Sequence, residues 1–128
     1  MRCHCDSMMP YELCCKPFIE GEKDARTALA LMRSRFSAHV EKQPTYILNT
    51  YGERMRANIK IEEIKLGLNG IEWEELEILS VSKGQFLDEE GLVEFLAHYR
   101  QGVEQLTMHE RSLFRKEHGL WRYVGPSK

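Results

Sequence analysis

The sequence predicts an α+β domain, with three N-terminal helices packed on a curved antiparallel sheet of about four strands. A small cysteine knob precedes it. Three observations carry this. All four cysteines fall within the first fifteen residues of a 128-residue chain. Apolar residues then recur at helical spacing as far as Leu68. From Trp73 onward the texture changes to β-branched and aromatic runs separated by glycine turns.

The knob comes first. Cys3 and Cys5 are followed, eight residues on, by Cys14 and Cys15. Cysteines used only for packing would be scattered along the chain. Four together suit a tetrahedral thiolate site, and zinc is the ion that such a set closes around. A redox dithiol pair is the other chemistry open to clustered thiols. Tyr11-Glu12-Leu13 is expected to form a helical turn presenting Cys14 and Cys15. His4 is read as a neighbour of the site, because four thiolates already complete the shell.

Pro17 to Lys23 reads as a linker, anchored by Phe18 and Ile19. Helix one follows, with Asp24 as its expected cap and Ala25, Leu29, Met32, Phe36 and Val40 on one face. Pro44 opens helix two at a first-turn position, and Gly52 closes it. Helix three is expected from Glu53 to Leu68, with Met55, Ile59 and Ile64 inward; Asn69-Gly70 stops it. His39 and His118 read as surface residues. The strand-like runs are 73–81, 91–100, 104–116 and 120–124. Lys83-Gly84-Gln85, Gln101-Gly102 and Glu117-His118-Gly119 are the turns between them.

Composition bounds the function. Apolar residues make up 42% of the chain, enough for a core, and the net charge is only −2. Such a balance does not advertise a nucleic-acid or acidic-lipid partner, and direct nucleic-acid binding is not expected. No signal-peptide pattern begins the sequence, and no apolar run approaches the length of a membrane span. A cytosolic protein is the resulting expectation.

Cys3-His4-Cys5-Asp6-Ser7 followed by Tyr11-Glu12-Leu13-Cys14-Cys15 resembles the SEC-C zinc motif. Its usual form is Cys-Pro-Cys-Gly-Ser-Gly, a basic stretch, then Cys-Cys or Cys-His. All four ligand positions match. His4 replaces the usual proline, Asp6 and Met8 replace both glycines, and Met9, Pro10 and Glu12 stand in the basic stretch. Asp can visit the left-handed region at a turn, while Met does so only at a cost. The apolar lining suggests a knob that docks on its own domain or on an apolar partner.

Further residues resemble the YchJ family. They are Leu31-Met32-Arg33-Ser34-Arg35-Phe36-Ser37-Ala38, Glu72-Trp73 with Leu76-Glu77-Ile78, and Val93-Glu94-Phe95. Then come His109-Glu110-Arg111-Ser112-x-Phe114 and Trp121-x-Tyr123. The resemblance implies a nuclear-transport-factor-2-like cone spanning residues 21–128 behind a knob of residues 1–20. It implies no established activity. Some members carry a second cysteine motif at the C-terminus, where this sequence reads Gly125-Pro126-Ser127-Lys128. The family's usual Trp-His segment after helix two reads Thr50-Tyr51-Gly52 here.

Candidate chemistry inside the cone centres on Arg33, Arg35, Glu110 and Arg111, read as a structural ion pair or pocket. Arg33 and Arg35 lie about 200° apart around a helix and cannot face the same way. Alternation puts Met108, Glu110, Ser112 and Phe114 on one strand face, and His109, Arg111 and Leu113 on the other. A buried Glu110 needs a partner, and Arg35 is the expected one. Glu94, His98, Tyr99, Trp121 and Tyr123 are the possible cavity residues. No catalytic dyad stands out, so the reading leans away from an enzyme. The preferred function is a zinc-stabilised binding or adaptor module for a protein or ribosomal partner. The alternative is a small-molecule or hydrolytic cavity protein whose zinc knob is purely structural. A homodimer through the sheet face is a third possibility.

Overall fold

The computed structural model describes residues 1–127, and Lys128, the last residue of the expected second domain, lies outside them. The chain opens as a tight hairpin: Arg2 bridges Pro10, Cys3 N donates to Met9 O at 2.7 Å, and Tyr11 N donates to Met1 O at 3.0 Å. Both former glycine positions take the left-handed conformation, Asp6 at φ 65° and Met8 at φ 69°. The loop keeps its shape without glycine, and Met8 carries a backbone cost of roughly 1–2 kcal/mol. A 3₁₀ turn at Tyr11–Leu13 then presents Cys14 and Cys15, as the spacing suggests.

The segment read as a linker is partly helical, forming α1 (Lys16–Ile19). Pro17 sits in its first turn, where a missing N–H costs nothing. Helix α2 (Ala28–Val40) is capped by Thr27 rather than Asp24; Ala30 N donates to Thr27 Oγ1 at 3.0 Å. Its burial also exceeds one stripe. Leu31, Met32 and Phe36 are buried, and so are Ser34, Arg35, Ser37 and Ala38. The reason is enclosure: α2 touches the sheet, α1 and α3 (Pro44–Asn49) at once.

The expected third helix is two. The first is α4 (Glu53–Arg56), where Asn58 Nδ2 folds back on Arg54 O at 2.8 Å. The second is α5 (Ile61–Leu68), entered through an extended Lys60 whose N–H donates to Glu63 Oε1 at 3.1 Å. A local side-chain cap here outcompetes helix continuation.

Four strands form an antiparallel meander in the order β1 (Ile71–Lys83), β2 (Glu90–Gln101), β3 (Glu104–Glu117) and β4 (Leu120–Pro126). Each contains its predicted run. His118 at φ 54° and Gly119 at φ 79° make the tight β3–β4 turn, the positive-φ pair that a type I′ hairpin requires. Register shifts near Trp73 and Ile78 bend β1. At the other end of the sheet, a Cβ on Gly91 would lie 2.4 Å from the Gly84 Cα, so these backbones meet only as glycines. Gly84 O then receives the Ala28 N–H at 2.9 Å, which seats the start of α2 on the sheet.

One large core runs from Cys3, Cys5 and Cys15 through Leu31, Met32 and Phe36 to Val93, Phe95, Phe114 and Trp121. The knob therefore packs against its own domain. A smaller core joins Ala38, Ile47 and Leu68. Among the described residues no helix is long and apolar enough to cross a membrane.

Candidate metal centre and cavity

The four cysteine Sγ atoms lie within 4.8 Å of one another. Cys5 and Cys14 are 3.6 Å apart, and Cys14 and Cys15 are 3.9 Å apart. These separations are too long for a disulfide. They match the edge of about 3.8 Å that tetrahedral bonds of about 2.3 Å generate. Cys3, Cys5 and Cys15 are buried, and Cys14 is half-buried. The set can hold a metal ion, and the donors suit a thiophilic one.

The thiols already feel one another. Hydrogen bonds from Cys15 and Cys5 hold the Cys3 thiol far below its usual range. Donation to Cys3 and Cys5, with burial behind it, pushes Cys15 far up. Burial pushes Cys14 up to about 11. Four thiolates together need a cation between them.

Helix α2 buttresses this loop. Arg33 Nη1 donates to the Cys5 carbonyl, Ser37 Oγ lies 3.4 Å from Cys3 Sγ, and His4 Nε2 meets Glu41 Oε2 at 2.6 Å. Ser7 Oγ stands 3.1 Å from Cys14 Sγ. These second-layer contacts hold the sulfurs in place.

On the far side of α2 lies a cavity of about 240 Å³. Met32, Phe36, Trp73, Phe95, Ala97 and Met108 supply its apolar wall, while Arg35, His39, Tyr51, Glu110, Ser112 and Tyr123 supply the polar one. The expected Glu110–Arg35 ion pair does not form. Among the described residues no ion pair joins Glu110 to Arg33, Arg35 or Arg111. Glu110 Oε2 instead accepts from Tyr123 Oη at 2.6 Å and from Ser112 Oγ. Arg35 Nη1 donates to Ile47 O at 2.9 Å and Thr50 Oγ1 at 2.6 Å. Its guanidinium lies over the Tyr51 and Tyr123 rings, 4.5 and 4.8 Å from their centroids. Neutral oxygens and aromatic faces thus take the place of the carboxylate. Arg33 points the other way, to the knob.

The remaining candidates divide by strand face. Glu94 and His98 are on the outer face, because Val93, Phe95 and Ala97 occupy the inner positions of β2. Glu94 Oε2 pairs there with His109 Nε2 at 2.7 Å, and this hydrogen bond holds its carboxyl below the usual range. His98 lies 3.6 Å from Glu77 and 2.9 Å from Thr107 Oγ1. Arg111 is exposed on that same outer side of β3. Tyr99 packs on Trp73 with ring centroids 4.7 Å apart, at the end of the apolar wall. Trp121 is buried in the core beside the knob. Of the five expected cavity residues, Tyr123 alone lines this cavity; Trp121 borders two other surface depressions.

Sequence reasoning missed His39. It is not a surface residue: Nδ1 bonds the Arg35 carbonyl at 2.7 Å and the ring meets Trp73 edge-on at 5.9 Å. Burial, then the nearby Arg35 charge, pushes its imidazole down to about 4. Tyr51 was also missed as a site residue. The signal that was available is the four-residue spacing of Arg35 and His39 on one helix.

Fold and site together define an NTF2-like domain led by a four-cysteine motif of the SEC-C type. A family model described as the YchJ middle NTF2-like domain matches residues 27–126. A UPF0225 protein of Geobacter sulfurreducens is 36% identical over 122 residues, covering 95% of this chain and 76% of the relative. One from Vibrio parahaemolyticus is 34% identical over 122 residues, covering 95% and 72%. The chain belongs to the YchJ family. Among solved structures, a SEC-C motif containing protein from Rhodopseudomonas palustris superposes with a TM-score of 0.90 at 32% identity, covering 99% of this chain and 98% of that one. Another from Psychrobacter arcticus gives a TM-score of 0.84 at 25% identity, covering 99% and 82%.

Proposed function

We propose that the cysteine centre binds zinc as a structural ion and that the protein works as a non-catalytic binding module. The observation that carries this is the placement of the four sulfurs, mutually within 4.8 Å and mostly buried. Four protein thiolates fill a tetrahedral shell and leave no position for substrate. Cys3, Cys5, Cys14 and Cys15 would hold the ion, which would supply folding energy that the short hairpin lacks. Because the knob shares its core with α2, zinc would stabilise the whole domain.

The knob exposes Met8, Met9 and Leu13. That surface supports docking to a protein or ribosomal partner, in place of the basic contacts of the usual motif. The test is metal content in protein purified under reducing conditions, with affinity capture by wild type and Cys14→Ser/Cys15→Ser in parallel. About one zinc per chain and partners lost in the variant are expected. Metal-free, fully folded protein would overturn the reading.

A second reading has its own observation. Arg35 is buried, has no carboxylate partner among the described residues, and faces a cavity that also holds Glu110 and Tyr123. This supports a small-molecule binding site within the cone.

A further inference from the structure

Resting on that cavity reading, we infer the class of its ligand: a small molecule of no net charge, with a flat apolar body and a head carrying both a hydrogen-bond acceptor and a donor.

Size and lining set the body. A cavity of about 240 Å³ falls just under the range typical for drug-sized ligands. Phe36 and Trp73 meet edge-on with centroids 6.3 Å apart, and with Phe95 and Met108 they form one apolar wall. Aromatic edges and a thioether favour a planar ring over a flexible chain.

The polar wall sets the head. Among the described residues, the formally charged side chains that line it are Arg35 and Glu110, one of each sign. They are not an ion pair, and no other described acid or base pairs with either. Arg35 spends Nη1 on Ile47 and Thr50, while its faces are covered by Tyr51 and Tyr123. Tyr51 also engages the guanidinium, whose cavity side is open to an acceptor. Glu110 receives Tyr123 and Ser112 on Oε2 alone, which leaves Oε1 asking for a donor. Tyr123 touches both groups, so the donor and acceptor sites lie on one side of the cavity. An anionic head would leave Glu110 facing a like charge, and a cationic head would do the same to Arg35. Either costs more than a head that satisfies both and carries no net charge. His39 does not upset this balance. Its Nδ1 is bound to the Arg35 carbonyl, and its imidazole stays neutral at physiological pH.

The experiment titrates four single-ring probes into ¹⁵N-labelled, zinc-loaded protein of residues 1–128: benzamide, benzoate, benzylammonium and toluene. Benzamide is expected to shift the amides of residues 35, 39, 110 and 123. Benzoate and benzylammonium should each bind at least about tenfold more weakly. In Glu110→Gln the cavity keeps only its cation, so benzoate should overtake benzamide. Ala97→Leu, which narrows the cavity from its apolar wall, should abolish binding of every probe in protein that circular dichroism shows to be folded. If Glu110→Gln does not fold, the wild-type ranking and Ala97→Leu still decide. Benzoate or benzylammonium binding as tightly as benzamide would overturn the ligand class and leave the cavity reading standing. No shift at these residues with any probe, in folded protein, would overturn both.

Discussion

His39 provides the sharpest quantitative test of the cone interior. Its ring is wedged between Arg35 and Trp73, and its imidazole falls from 6.5 to about 4 because burial and a neighbouring cation both oppose protonation. The unfolded chain therefore binds a proton that the folded chain refuses. Stability from this group is complete above pH 6.5 and is lost as pH falls toward 4. The full difference corresponds to about 3 kcal/mol, of which about 2 kcal/mol is lost between pH 7 and pH 5. Urea unfolding at those two pH values should show that loss in the wild type and a much smaller one in His39→Gln. The comparison between the two proteins cancels the acid sensitivity of the cysteine centre, which both share. The Cε1–H resonance of His39 should titrate with a midpoint near 4. A midpoint above 6, or equal pH dependence in the two proteins, would refute the half-buried, Arg35-facing geometry.

Metal removal should act on the whole domain. A chelator strong enough to strip the cysteines is expected to lower the melting temperature in a single cooperative step, because Cys3, Cys5 and Cys15 share a core with Leu31 and Phe36; calorimetry checks this. Arg33→Met should speed metal loss to a chromogenic chelator, since Arg33 holds the Cys5 carbonyl. Met8→Gly should stabilise the loaded protein by about 1 kcal/mol in denaturant titration, through relief of a left-handed methionine. Gly91→Ala should cost several kcal/mol, on the order of other overpacked core positions, because its Cβ would meet the Gly84 backbone at 2.4 Å.

Much of the architecture follows from local signals. The spacing of four cysteines marks the candidate metal site, and His118-Gly119 marks the β3–β4 hairpin, because the chemistry of each lies within a few adjacent residues. Alternation placed Glu110 inward with Met108, Ser112 and Phe114, and the structure puts it there. Helix α2 was less legible. A single stripe of apolar residues defines its expected buried face, yet Ser34, Arg35 and Ser37 are buried as well. Their satisfaction comes from Leu31 O and Tyr46, from Ile47 and Thr50, and from Cys3 in turn. Most of those partners lie on other elements, and no pattern along α2 reports them.

What the sequence determined by itself is the order of the four strands, the knob and its donor atoms, and the family. The cavity was decided by tertiary structure. Among the described residues Arg35 has no carboxylate partner, because α3 and the Thr50 that follows it bring a carbonyl and a hydroxyl to it first, while Tyr123 comes between it and Glu110. Glu94 and His98 lie outside because the register of β2 gives its inner face to Val93, Phe95 and Ala97. Pairing between distant segments sets which groups converge, and that information is held in packing rather than in any one stretch of the chain.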